Sequence, residues 1–118
     1  MTSLITCLST GKGTWTTVAK TIAAHEWDKV FIVTNEFGKD KFQLKANMEF
    51  IVIADGPLQP MVEQIRRSLE GKIADLQVAV NLDSGTGKEH MAVISAVLRL
   101  GLALRLVTAS ADGSIVEV

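Results

Sequence analysis

Short apolar segments alternate with amphipathic segments along most of the chain. Each apolar segment predicts a buried β-strand, because polar residues do not alternate through it. These segments cover residues 3–8, 29–34, 49–54, 76–82 and 102–108. A hairpin signal at 111–113, Ala-Asp-Gly, follows the last of them. Residues 114–118 are therefore predicted to return as a sixth, antiparallel strand.

Three of the connecting segments carry apolar residues at helical spacing. The first helix is predicted to follow an N-cap at Thr14. The second is predicted to start near Leu58 and to end before Gly71, a residue type typical of the C′ position. The third is predicted to run over 88–100. The irregular stretch after the second strand allows a short helix around 39–45.

Strands that alternate with helices predict a parallel sheet with helices on both faces. Because crossovers are right-handed, we expect a three-layer, Rossmann-like, doubly wound α/β fold. Its sheet is expected to be mostly parallel, in the strand order 3-2-1-4-5-6, with a C-terminal antiparallel β-hairpin. The 118 residues allow one such domain, over 1–118. Strands 1 and 4 then form a switch point, where ligands bind at the carboxyl ends of the strands.

Composition excludes several classes of protein. A hydrophobic fraction of 47% and a charged fraction of 21% predict a folded chain. A net charge of −1 argues against a partner such as duplex DNA. No apolar run approaches the ~20 residues of a membrane helix, and residues 1–4 do not resemble a signal peptide. The single cysteine, Cys7, excludes an internal disulfide framework or a Cys-rich zinc site. We expect a cytoplasmic protein with no metal, no cofactor and no membrane partner.

Two loops rich in Gly, Ser and Thr are predicted to meet at the switch point. Both offer backbone N–H groups, hydroxyls and a lysine, and both lead into a helix N-terminus, which favours anions. The candidate ligand-binding residues are Ser9, Thr10, Gly11, Lys12, Gly13, Thr14, Asn81, Asp83, Ser84, Gly85, Thr86, Gly87, Lys88 and His90. The simpler alternative is that these turns only reverse the chain and cap the next helix.

Neither loop completes a familiar nucleotide-binding motif. Residues 85–88 read Gly-Thr-Gly-Lys, like the end of a P-loop. However, Leu82 and Glu89 stand where a P-loop has its first glycine and its magnesium-binding Ser or Thr. Residues 11–13 read Gly-Lys-Gly, but Thr16 stands where a dinucleotide fingerprint has its third glycine. An ATP-hydrolysing P-loop and a dinucleotide site are therefore both disfavoured.

The strand order with its terminal hairpin resembles the CRISPR-associated Rossmann fold, the CARF domain. CARF domains carry a Ser/Thr/Gly loop after strand 1. At the end of strand 4 they carry the motif [Asn/Asp]-x-[Ser/Thr]-x-x-x-[Arg/Lys], where x is any residue. Residues 81–88 of this chain read NLDSGTGK. Ser84 and Lys88 match the second half of that pattern, whereas Asn81 stands one residue too early.

The resemblance implies a stand-alone CARF-like domain that binds a nucleotide second messenger, a cyclic oligoadenylate. It also implies a homodimer and a role in CRISPR-linked antiviral defence. Some members of the family cleave the ring, so the alternative is a metal-independent ring nuclease with Ser9 and Lys88 as catalytic residues. His90 is the nearest candidate for a general base in that case. A second alternative is a small α/β interaction protein with no nucleotide ligand.

Overall fold

The structure, a computed structural model, describes residues 2–9, 12–40 and 43–118; of Lys12, Gly13, Thr14 and Phe37 it describes the backbone only. The elements in chain order are β1 (Leu4–Leu8), α1 (Lys12–Ala23), β2 (Val30–Thr34), α2 (Glu36–Lys39), β3 (Met48–Val52), α3 (Leu58–Leu69), β4 (Gln77–Asn81), α4 (Gly87–Arg99), β5 (Ala103–Ala109) and β6 (Ile115–Glu117).

These strands form one sheet in the order β3-β2-β1-β4-β5-β6. Neighbouring strands are parallel except for β5 and β6, which are antiparallel. Leu4 at the start of β1 is in register with Val30 of β2 and with Ala79 of β4. The predicted fold class, strand order and C-terminal hairpin are confirmed.

Residues of β1 alternate between two cores, one on each face of the sheet. Ile5 and Cys7 belong to a buried cluster with residues of α3 and α4. Leu4 and Leu8 belong to a second cluster with residues of α1. Because α1 and α4 lie on opposite faces, the helices that follow the neighbouring strands β1 and β4 diverge. This divergence makes the carboxyl ends of β1 and β4 the switch point of the fold.

Two predicted helix boundaries are wrong. Helix α1 begins at Lys12, so Thr14 lies in its first turn and not at its N-cap. Glycine serves at N-caps about as well as threonine, so Thr14 is not the only cap signal in this stretch of the sequence. The short helix occupies Glu36–Lys39 and not 39–45, because the Asn35 side chain accepts a hydrogen bond from the Gly38 N–H at 2.8 Å and caps it there.

Helix α2 packs closely on the ends of β1 and β2. The Thr34 hydroxyl donates to the Leu8 carbonyl oxygen, and a Cβ at Gly38 would overlap both of these oxygens. Only glycine therefore lets α2 approach the sheet at this point. Asn35 lies at the same edge as the loop after β1, because it directly follows Thr34, which is in register with Leu8. No helix in the described ranges is long and apolar enough to span a membrane.

Candidate functional site

A cleft of about 200 Å³ lies at the carboxyl ends of β1, β2 and β3, beside the start of α4. Its walls come from the loops after these strands, from α3 and from the first turn of α4. The lining residues are Ser9, Asn35, Ile53, Ala54, Asp55, Met61, Thr86, Lys88 and Glu89. The two loops singled out from the sequence therefore do meet at one cleft. The loops that follow β2 and β3 add walls that the sequence did not indicate.

Glu89 joins the loop after β1 to the start of α4. One carboxylate oxygen, Oε1, accepts a hydrogen bond from the Ser9 hydroxyl at 2.5 Å and another from the Thr86 N–H at 2.8 Å. In return, Thr86 Oγ1 accepts from the Glu89 N–H at 3.2 Å, which completes a capping box. Ser9 and Glu89 are both buried. These bonds fix Ser9 against the helix that follows the neighbouring strand.

The sequence did not indicate three polar residues of the lining, Asn35, Asp55 and Glu89. Glu89 stood out in the sequence only as a departure from the P-loop pattern. A signal was present, because Thr86 stands three residues before it, and Thr-x-x-Glu is the sequence of a capping box. That signal predicts the start of α4, but it does not predict the additional bond to Ser9.

Gly85 lets the loop after β4 lie directly on β1. Its φ is +99°, and a Cβ there would stand 2.9 Å from the Cβ of Cys7 and 3.0 Å from Glu89 Oε1. Cys7 is buried beneath this loop. Burial, and secondarily the negative charge of Glu89, raise the pKa of the Cys7 thiol to about 12. Cys7 is therefore a protonated packing residue at neutral pH.

Lys88 is the cation at the mouth of the cleft. Its Nζ lies 3.7 Å from Asp55 Oδ1; the Lys88 side chain is half-exposed, and the Asp55 side chain is fully exposed. An ion pair of this kind is weak, because water screens it. Lys88 can therefore leave Asp55 for another anion at little cost. In the described part of the lining, Asp55 and Glu89 give two carboxylates against one ammonium group.

Asn81 holds three strands together and does not line the cleft. Its Oδ1 accepts from the Thr6 hydroxyl at 3.3 Å, and its Nδ2 donates to Asp83 Oδ2 at 2.7 Å and to the Val107 carbonyl at 2.9 Å. Asp83 also accepts from the Thr108 hydroxyl at 2.7 Å. This network ties β1, β4 and β5 together at the same edge of the sheet.

Ser84 and His90 lie next to Gly85. His90 Nε2 is 2.7 Å from the Ser84 carbonyl oxygen. Since a carbonyl only accepts, Nε2 carries a proton, and Nδ1 is the ring nitrogen left for a ligand. His90 therefore anchors the loop after β4 through one nitrogen and can meet a ligand only through the other.

The predicted site residues fall into three groups. Ser9, Thr86 and Lys88 meet at the cleft. The described candidates that do not line it are Asn81, Asp83, Ser84, Gly85, Gly87 and His90. Thr10 and Gly11 lie outside the described residues, and of Lys12, Gly13 and Thr14 only the backbone, in the first turn of α1, is described.

Within the described ranges, no three His, Cys, Asp or Glu side chains are grouped so that they could hold a metal ion. Comparison with known proteins assigns no family: no protein-family model matches the chain, and no curated protein is significantly similar to it.

Proposed function

We propose that the chain binds a nucleotide second messenger, a cyclic oligoadenylate, at the carboxyl ends of β1 and β4, in a CRISPR-linked defence role. The observation that carries the proposal is the hydrogen bond between Ser9 and Glu89. It joins the loop after β1 to the first turn of α4, directly after the loop that follows β4. The CARF resemblance assigns these two loops to the ligand. Ligands of doubly wound folds bind at this place.

The first turn of α4 supports the binding of phosphate groups at the rim. Gly87 and Lys88 form this turn and are exposed. A helix N-terminus favours an anion, because its N–H groups and the helix dipole point towards it. The Lys88 ammonium adds a mobile positive charge beside that turn. A phosphodiester passing over the mouth of the cleft would meet both.

The size of the cleft supports binding by two copies of the chain. Pockets for small molecules usually measure about 300–1,000 Å³, whereas this cleft measures about 200 Å³. One cleft has room for one nucleoside-sized fragment of a ring. A symmetric ring would therefore be held by two clefts related by a two-fold axis, as in a homodimer.

The proposal is tested by titrating cyclic tri-, tetra- and hexaadenylate into the protein by calorimetry, with light scattering for the oligomeric state. We expect Lys88→Ala to weaken binding by about 1–3 kcal/mol, the range for losing a charge-assisted contact. Lys72→Ala is the matched control, because Lys72 pairs with Glu49 on a different part of the surface. Absence of binding to all three rings would contradict the proposal and leave an interaction protein as the better account.

Cleavage of the ring is the second candidate function, and the fixed orientation of Ser9 favours it. Because the Ser9 hydroxyl donates to Glu89, its oxygen can accept a hydrogen bond from a ribose 2′-hydroxyl. The 2′-oxygen would attack the adjacent phosphorus as the bond from phosphorus to the 5′-oxygen breaks. The 2′-proton passes to solvent water, and the departing 5′-oxygen takes a proton from water. The product would carry a 2′,3′-cyclic phosphate, and EDTA would not inhibit its formation.

A further inference from the structure

We propose that the cleft takes the hydrogen-bond-donating part of a nucleoside, a hydroxyl or an amino group, and that Glu89 selects it. The phosphates of the ligand stay outside, at the first turn of α4. The inference deepens the proposed function and rests on it for the nucleotide class of the ligand. Its basis is the charge and the hydrogen-bonding state of the cleft lining.

The lining is unsuited to a phosphate inside the cleft. Among the described residues of the lining, Glu89 and Asp55 bring two negative charges, and the one cation, Lys88, already faces Asp55 at 3.7 Å. Glu89 is only 8% exposed, so water screens its charge less than that of a surface carboxylate. A phosphate placed against it would bring like charges together in a poorly hydrated space, which is unfavourable.

The same lining suits a group that donates hydrogen bonds. Both bonds described above for the Glu89 side chain end on Oε1. Among the described residues, none donates a hydrogen bond to Oε2. An ionised carboxylate only accepts, with about two positions on each oxygen. Oε2 can therefore receive hydroxyl or amino hydrogens from a ligand.

The substitution Glu89→Gln distinguishes a donor group inside the cleft from a phosphate there, because it should change the binding affinity for the two in opposite directions. Glutamine also forms a capping box, so its carbonyl oxygen can keep the bonds to Ser9 and to the Thr86 N–H. The substitution removes the negative charge and places an NH₂ donor where Oε2 accepts. Binding of a phosphate inside the cleft would become tighter, because repulsion is lost. Binding of a donor group would become weaker, because the donor then faces another donor.

The experiment follows backbone amide signals by NMR while adenosine is added to the wild-type protein and to Glu89→Gln. We expect adenosine to shift the amides of Ser9, Asn35 and Thr86, and Glu89→Gln to weaken its binding about tenfold or more. Glu26→Gln is the control, because it removes one negative charge from an exposed residue away from the cleft. Purine riboside, which lacks the amino group, and 2′-deoxyadenosine identify which donor enters.

Inorganic phosphate is the opposing probe. We expect it to shift the Lys88 amide at the rim and to leave those of Ser9 and Asn35 unchanged. The inference is wrong if phosphate shifts the Ser9 amide, if adenosine does not, or if Glu89→Gln leaves adenosine binding unchanged or tightens it.

Calorimetry with the cyclic oligoadenylates shows whether a negative result overturns the role of Glu89 or the proposed function. Rings that bind Glu89→Gln as tightly as the wild type would overturn the inference alone. Adenosine binding that depends on Glu89, with no ring bound, would overturn the proposed function alone.

Discussion

Gly85→Ala is the substitution whose cost the structure defines most closely. The backbone at residue 85 has φ of +99°, a conformation that L-residues rarely adopt. The new methyl group would also stand 2.9 Å from the Cβ of Cys7, which the buried strand β1 holds in place. Backbone strain of this kind costs about 1–3 kcal/mol, and overpacking of a core costs a similar amount. We therefore expect Gly85→Ala to lower the free energy of unfolding by about 2–6 kcal/mol.

Urea denaturation measures this effect, and Gly87→Ala is its matched control. A Cβ at Gly87 would meet no atom within 4 Å, and Gly87 is the first residue of α4. Alanine there should leave stability unchanged or raise it by up to about 1 kcal/mol, because glycine is a poor helix former. A loss below about 1 kcal/mol for Gly85→Ala, or equal losses for the two variants, would refute the close approach of this loop to β1.

Two further predictions concern the sheet beneath the site. Asn81→Ala should lower the free energy of unfolding by about 2–4 kcal/mol, because it removes the bonds to Asp83 and the Val107 carbonyl and leaves buried polar groups unpaired; a loss under 1 kcal/mol in urea denaturation would contradict this. The raised pKa of Cys7 means that the folded chain keeps the thiol proton from pH 9 to about 12 while the unfolded chain loses it. This difference in pKa stabilises the folded chain fully below pH 9, and the contribution disappears as the pH rises towards 12. Cys7→Ala should therefore flatten the decline in the free energy of unfolding over this range, and an equally steep decline in this variant would contradict the assignment.

The strands and their order could be predicted because the strongest signals in the sequence are local. Each of the strands β1 and β2 is apolar except for one threonine, and both are fully buried, which is the pattern of central parallel strands. Gly71 and Gly101 follow α3 and α4 with φ of +76° and +74°, as expected of C′ glycines. Right-handed crossovers then leave few topologies to consider.

The walls of the cleft could be predicted only in part, because they depend on contacts between distant parts of the chain. Ser9 and Glu89 are 80 residues apart, and the bond between them is tertiary. Asn81 is a residue type suited to binding a ligand, but its side-chain amide donates a hydrogen bond to the Val107 carbonyl on β5. Asp55 follows a strand whose loop carried no motif. Spacing along the sequence does not show which partner is present across the sheet.

Amide hydrogen exchange, followed by mass spectrometry with and without cyclic tetraadenylate, tests whether the loop after β1 and the first turn of α4 form one binding site. We expect slower exchange in two segments together, around Ser9 and over Thr86–Lys88, with no change in the β5–β6 hairpin. Protection confined to one of the two segments, or none at a saturating concentration of the ring, would contradict it.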